Sequence, residues 1–152
     1  MTDPCHETPP ALLQRGIDQF NRGEFFEQHE TLEDLWGEES RPVRTLYQGI
    51  LQIGVALYHI QRSNHHGAVY MLTRGASYLR PFAPTCQGVD VADLLAAAAR
   101  VQHAIEQLGP DHLDEFDWSL APQVRWVAHP GSTRSLKPEA HRQLVRPRAS
   151  NP

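Results

Sequence analysis

The chain has little cysteine: two residues in 152, Cys5 and Cys86, far apart and in no C-x-x-C pattern. That spacing excludes a disulfide scaffold or an all-cysteine zinc site, and it suits a reducing cytosol. The first ten residues, MTDPCHETPP, carry acids and prolines but no apolar run, so no secretory leader is expected. No glycine-rich phosphate loop, dinucleotide fingerprint, serine elbow or Cys-His pairing occurs, and no segment alternates as a surface strand would. Nor is there a bulk positive charge: 14 basic against 18 acidic residues give a net −4, so nucleic acid is not the expected main partner. With 40% hydrophobic and 21% charged residues, the chain is too apolar for wholesale disorder and about one domain in length.

Charge divides the chain. Residues 1–121 hold 8 basic and 17 acidic residues, whereas 122–152 hold 6 basic and one acidic, with prolines at 122, 130, 138, 147 and 152. We therefore expect a helical domain over 1–120 and a basic, proline-rich irregular tail over 121–152. Nucleic acid would be a partner only through that tail.

Five helices are legible. Thr8 before Pro9-Pro10 suits a helix start, with Leu13, Ile17 and Phe20 inward and Gly23 as the stop. A second helix runs from Glu24 to Trp36 and ends at Gly37. Ser40 is placed to cap a third, over Val43 to Ile60, which is apolar on nearly every side and so should be central. Gln48, Gln52 and His59 interrupt it, which excludes a membrane span. Gly49 and Gly54 inside it each cost about 1 kcal/mol relative to alanine, a cost best offset by close approach of a neighbouring helix. Asn64 caps a fourth helix, His65 to about Leu79, halted by Pro81. Asp90 caps a fifth, about 90–108, with Leu94, Ala98, Val101, Ile105 and Leu108 as its seam and Gly109-Pro110 as its end. The fold class is all-α, an antiparallel bundle of about five helices.

Two stripes place polar groups where packing alone would prefer apolar ones. His29, Glu30 and Glu33 share a strip of the second helix bordered by Phe26 and Trp36; Gln48, Gln52 and His59 share a strip of the third. If the stripes face each other, imidazoles, carboxylates and carboxamides converge in an inward seam, and buried acids need a partner. Three answers compete. A structural hydrogen-bond network would tie the helices together, with Glu27 and Arg74 as further members. A divalent metal (zinc, manganese or iron) would take His29, Glu33 and His59 as ligands, with Glu30 as general base in a hydrolase. A metal-free acid–base pocket is the third. The His-Glu-x-x-Glu run at residues 29–33 looks like the zinc-protease His-Glu-x-x-His with its second histidine replaced. Phe26, Trp36 and Tyr58 would form an aromatic wall. His65 and His66 read as a solvated pair at a helix start, and His103 with Glu106 as a surface pair. Trp36, Trp118 and Trp126 read as core or lid residues. The non-catalytic alternative is a protein-interaction module, a homo-oligomer through an apolar helix face being one form of it.

These residues also carry a resemblance. Phe26, Glu27, His29, Glu30, Glu33 and Trp36 match Phe-Glu-x-His-Glu-x-x-Glu-x-x-Trp; Gln48, Gly49 and Gln52 match Gln-Gly-x-x-Gln. Tyr58-His59, Asn64-x-x-Gly67-Ala68 and Arg74-Gly75 follow in order. Over about residues 17–80 the chain resembles the family called domain of unknown function 309. That resemblance implies an all-helical bundle and no agreed activity.

Overall fold

The apolar periodicities fold as five α-helices in a computed structural model that describes residues 3–127. They are α1 Ala11–Asn21, α2 Phe25–Glu38, α3 Arg44–Gln61, α4 His65–Leu79 and α5 Val91–Leu108. Their inward faces form one core, in which Leu13, Ile17, Phe20, Leu32, Leu46, Ile50, Ile53, Leu57, Leu72, Leu94, Val101 and Ile105 are essentially buried. α3 is central, with α2 on one side and α4 on the other, as its all-round apolar surface predicts.

The glycines of α3 explain how closely its neighbours sit. A Cβ on Gly49 would lie 2.7 Å from Leu79 and 3.2 Å from the Gly75 carbonyl, and one on Gly75 would lie 3.2 Å from the Gly49 carbonyl. The two backbones therefore meet where neither carries a side chain. On the other flank a Cβ on Gly54 would lie 2.6 Å from Cδ of Gln28. The Gln28 amide fills that notch, fully buried, and donates to the backbone carbonyls of Leu51 (3.2 Å) and Phe25 (3.2 Å). The close approach expected of both glycines is thus present, one against a backbone and one against a side chain.

Two of the four expected caps form. Asn64 accepts from Gly67 N and Asp90 from Asp93 N. Thr8 and Ser40 do not cap: α1 begins after Pro10 and α3 after Val43, neither with a side-chain cap bond. A proline pair already sets φ at the α1 entry, and residues 42–43 turn ahead of α3 through backbone bonds of their own. α2 runs past Gly37 to Glu38. Gly23 and Gly109, with φ of 82° and 76°, end α1 and α5 in the left-handed region.

The connection between α4 and α5 corrects two expectations. It forms a minimal antiparallel hairpin, β1 Thr85–Cys86 with β2 Val89–Asp90. Cys86 there is bonded to Cys5 across 81 residues of sequence. Distance along the chain did not mean distance in space, because the Pro4–His6 turn packs on this hairpin, and the cysteine argument for a reducing compartment falls away. A link over that span stabilises by about 4 kcal/mol through the unfolded chain. Gln87 completes the junction: buried, it donates to Pro4 O and Cys5 O and accepts from Tyr47 Oη at 2.9 Å. Arg41 adds an ion pair to Glu7 (2.8 Å) and another to Glu39 (2.9 Å), holding the Glu39 carboxyl down at about 2.

Residues 121–127, read from sequence as the start of the tail, pack on the domain. Val124 is buried and exchanges bonds with the Asn21 side chain, and Val127 N donates to Gly88 O. Trp118 and Trp126 are about 40% exposed and so are not core residues. The basic segment beyond Val127 lies outside the described residues. Among the described residues no helix is long and apolar enough to cross a membrane.

The glycine contacts predict opposite signs for one substitution. Gly49→Ala should lower the free energy of unfolding by about 1–3 kcal/mol, since its Cβ would lie 2.7 Å from the fully buried Leu79 side chain, with the Gly75 carbonyl 3.2 Å away behind it. Gly37→Ala, within α2 and with nothing inside 4 Å, should raise it by up to about 1 kcal/mol. Urea denaturation of both variants checks the pair.

Candidate functional site

Antiparallel register assembles the polar stripes. Gln28 against Leu51 and Gly54, and Trp36 against Arg44, set α2 on α3. Gly49 against Gly75, and Gly67 against the His59 ring, set α4 on α3. With one residue up α3 for each residue down its neighbours, His29, Gln52 and the Arg74 turn come level; Glu33, Gln48 and Tyr78 form the next level. Phe26 lies against Tyr58 at one end (ring centroids 6.4 Å apart), and the Arg44 guanidinium lies 3.9 Å over Trp36 at the other. The expected aromatic wall is therefore split between the two ends.

The stripes share a face, but that face is open. His29 and Glu33 side chains are 35% and 59% exposed, Glu27 and Glu30 are exposed, and Gln48, Val55 and His59 are half-buried. The expected inward seam is corrected in this respect: the carboxylates stand at the rim, where water solvates them, and neutral amides take the interior. Only Gln52 of the predicted set is deeply buried, at 5% exposure, and its Oε1 accepts no hydrogen bond from a described group. Sequence reasoning passed over Gln28, although its place with Phe25, Leu32 and Leu35 on the buried side of α2 was available as a signal.

The predicted ligands are not gathered into one set. His29 Nε2 lies 3.9 Å from Glu33 Oε1, one turn away on the same helix. His59 is engaged elsewhere: its Nδ1 lies 3.3 Å from the Asn64 amide nitrogen, while the Asn64 oxygen accepts from Gly67 N. That cap orients the amide, so Nδ1 is an acceptor and the ring proton sits on Nε2. Among the described residues, no three or more His, Cys, Asp or Glu side chains lie close enough to hold a metal ion.

Arg74 pairs with neither Glu30 nor Glu33. Its two terminal nitrogens donate to the hydroxyls of Tyr70 (3.0 Å) and Tyr78, four residues before and after it. His65, read as solvated, is half-buried, with Nε2 2.8 Å from Ile105 O, joining the start of α4 to the end of α5. His66 and His103 are exposed, and Glu106 bonds to Gln102 rather than to His103.

The α2 and α3 parts of this face lie within the stretch that a family model matches. Residues 13–71 match the family described as Domain of unknown function (DUF309). An uncharacterized protein of Bacillus subtilis (strain 168), YpuF, is 32% identical over 123 residues, which cover 79% of this chain and 60% of that protein. The DUF309 match takes in α2 and α3 whole and stops inside α4, before Arg74.

His59 makes a pH prediction. Burial disfavours its cation and lowers its pKa from 6.5. The unfolded imidazole takes up its proton near pH 6.5 and the folded one only below that. Its contribution is therefore complete above the unfolded value and is lost as pH falls through the folded one. His59→Gln, which keeps an acceptor for Asn64, should lose less stability than wild type between pH 7.5 and pH 5 in urea melts. Equal losses would assign the acid sensitivity to other groups.

Proposed function

We propose that the protein is a non-catalytic binding module whose α2–α3–α4 face receives a small polar ligand. On this reading Gln48 and Gln52 of α3 would meet the ligand, with His29 and Glu33 of α2 and Arg74 of α4 beside them and His59, Tyr58 and Phe26 toward one end. One observation carries this reading: Gln52 Oε1 is buried with no protein donor, on a stripe whose other members are all partly exposed. An unsatisfied buried acceptor costs about 1–3 kcal/mol; the Gln52 oxygen is turned inward, as are those of Gln19 and Gln28, and a rotation of the amide that met a ligand on the open side would offset that cost. The rim carboxylates Glu27 and Glu30 then serve recognition and solubility rather than catalysis.

A second reading rests on the His29–Glu33 separation of 3.9 Å. On one helix that pair is a ready two-point chelate for zinc, manganese or iron(II), which would leave Glu30 beside it as base. His59 would be a costly third ligand, because binding through Nε2 places a proton on Nδ1, facing the Asn64 amide hydrogens.

Gln52→Leu separates the readings. The free variant should be about 1–2 kcal/mol more stable, since it removes an orphaned polar atom. In a thermal-shift screen of polar metabolites, compounds that raise the melting temperature of wild type should fail to raise that of the variant. Loss of stability with no compound distinguishing the two proteins would defeat the binding-module reading. Micromolar zinc affinity by calorimetry, abolished by His29→Ala and untouched by Gln52→Leu, would establish the chelate instead.

A further inference from the structure

The hairpin between α4 and α5 is held from both edges by segments that belong to no α-helix. On one edge the Pro4–His6 turn is joined to it by the Cys5–Cys86 bond. On the other, Asp90 N donates to Arg125 O (2.8 Å) and Val127 N to Gly88 O (2.8 Å). Between the edges lies the two-residue loop Gln87-Gly88, with φ of 49° and 81°. That left-handed backbone suits glycine but is costly for glutamine, so Gln87 needs support from outside the loop. Three hydrogen bonds give it. Gln87 N donates to Cys5 O (2.7 Å), its side-chain amide donates to Pro4 O (3.1 Å), and its Oε1 accepts from Tyr47 Oη (2.9 Å). Two of the three come from the segment that the disulfide retains.

We propose that the Cys5–Cys86 bond is a redox latch, whose reduction releases residues 3–8 and, through the Gln87-Gly88 turn, the docked residues 125–127. Neither cysteine lies on a bundle helix, so breaking the bond leaves the five helices in place. Cys86, 1% exposed, stays buried as a thiol, which packs like a small apolar side chain. Among the described residues, the other polar ties of residues 3–8 to the domain are the two Gln87 bonds and the Arg41–Glu7 pair. That ion pair is largely exposed and therefore weak. Val127 leads into the basic segment that follows, so the oxidised pair fixes the point from which that segment leaves the domain.

The chemistry is exchange with a dithiol. One thiolate attacks the sulfur of Cys5, the more exposed residue of the pair, and the electron pair of the S–S bond leaves on Cys86, which takes up a proton. The second thiolate attacks the mixed disulfide, releasing Cys5, which is protonated in turn, and a cyclic disulfide. Two electrons and two protons pass to the protein. Exchange with an oxidised disulfide reverses the step, and two cysteines in the sequence allow one intramolecular pairing to re-form.

The test is amide hydrogen exchange of the full chain, first oxidised, then reduced with dithiothreitol, then reoxidised with glutathione disulfide. Reduction should speed exchange at Gln87 and Val127 at least tenfold, leave Ile50, Ile53 and Leu57 of α3 unchanged, and reverse on reoxidation. Cys5→Ser should show the reduced pattern with or without dithiothreitol. Gln87→Gly removes the cost of the left-handed turn, so in it reduction should leave Val127 protected; it is the second variant should Cys5→Ser fail to fold. Equal exchange at Val127 in both redox states, loss of protection in α3 together with the hairpin, an undiminished loss at Val127 in Gln87→Gly, or reoxidation to a linked dimer would each overturn the latch.

Discussion

The contact of Gly49 with Gly75 is the constraint on which the geometry of this protein depends. Two helix backbones this close cannot slide or rotate freely, since Leu79 and Ile53 already fill the space beside the two glycines. That one meeting point sets the register of α4 on α3. The Gln28 amide seated against Gly54 does the same for α2, with a hydrogen bond to Leu51 O as well as packing. Three helices locked in this way behave as one slab. What each presents on the open side is then decided by the 3.6-residue repeat, counted outward from the two contacts.

The interior of the slab shows how polar groups divide between depth and rim. Deep positions go to uncharged amides: Gln28, Gln52 and, at the hairpin, Gln87. An amide can both donate and accept, so one buried side chain can satisfy groups on two elements, as Gln87 does with Tyr47 and Pro4. The α2 carboxylates would have needed counter-charges inside, and neither Arg44, over Trp36, nor Arg74, between its tyrosines, pairs with one of them. Leaving the acids in water is the cheaper arrangement. The result is a face with negative charge along α2, a guanidinium on α4 and amides between.

Local chemistry made much of this legible. Periodicity located all five helices, the cost of glycine inside α3 forecast close neighbours, and Asn64 and Asp90 declared themselves as caps. The spacing of His29, Glu33, Gln48, Gln52 and His59 showed that each group shares a stripe. Whether those stripes turned inward depended on the rotation of α2 about its axis, which periodicity alone does not give and the Gln28–Gly54 contact does. The Cys5–Cys86 pairing, the Gln87 junction and the docking of Val124 on Asn21 join segments that are distant along the chain and have no repeat of their own. No window of neighbouring residues contains that information. Arg74, read from sequence as one member of a network joining the helices, instead bonds within its own helix, to two hydroxyls one turn away.

The placement of the small residues ties recognition to stability. Gln48 precedes Gly49, Arg74 precedes Gly75, and Gln52 follows Gly49 by less than one turn. The polar groups of the proposed site are thus sequence neighbours of the point where α3 and α4 meet backbone to backbone. A side chain anchored there loses little freedom on binding, because packing and the tyrosine hydroxyls have already restricted it. The unpaired Gln52 oxygen is separate from that rigidity: replacing the side chain removes the atom and leaves the Gly49–Gly75 contact as it is.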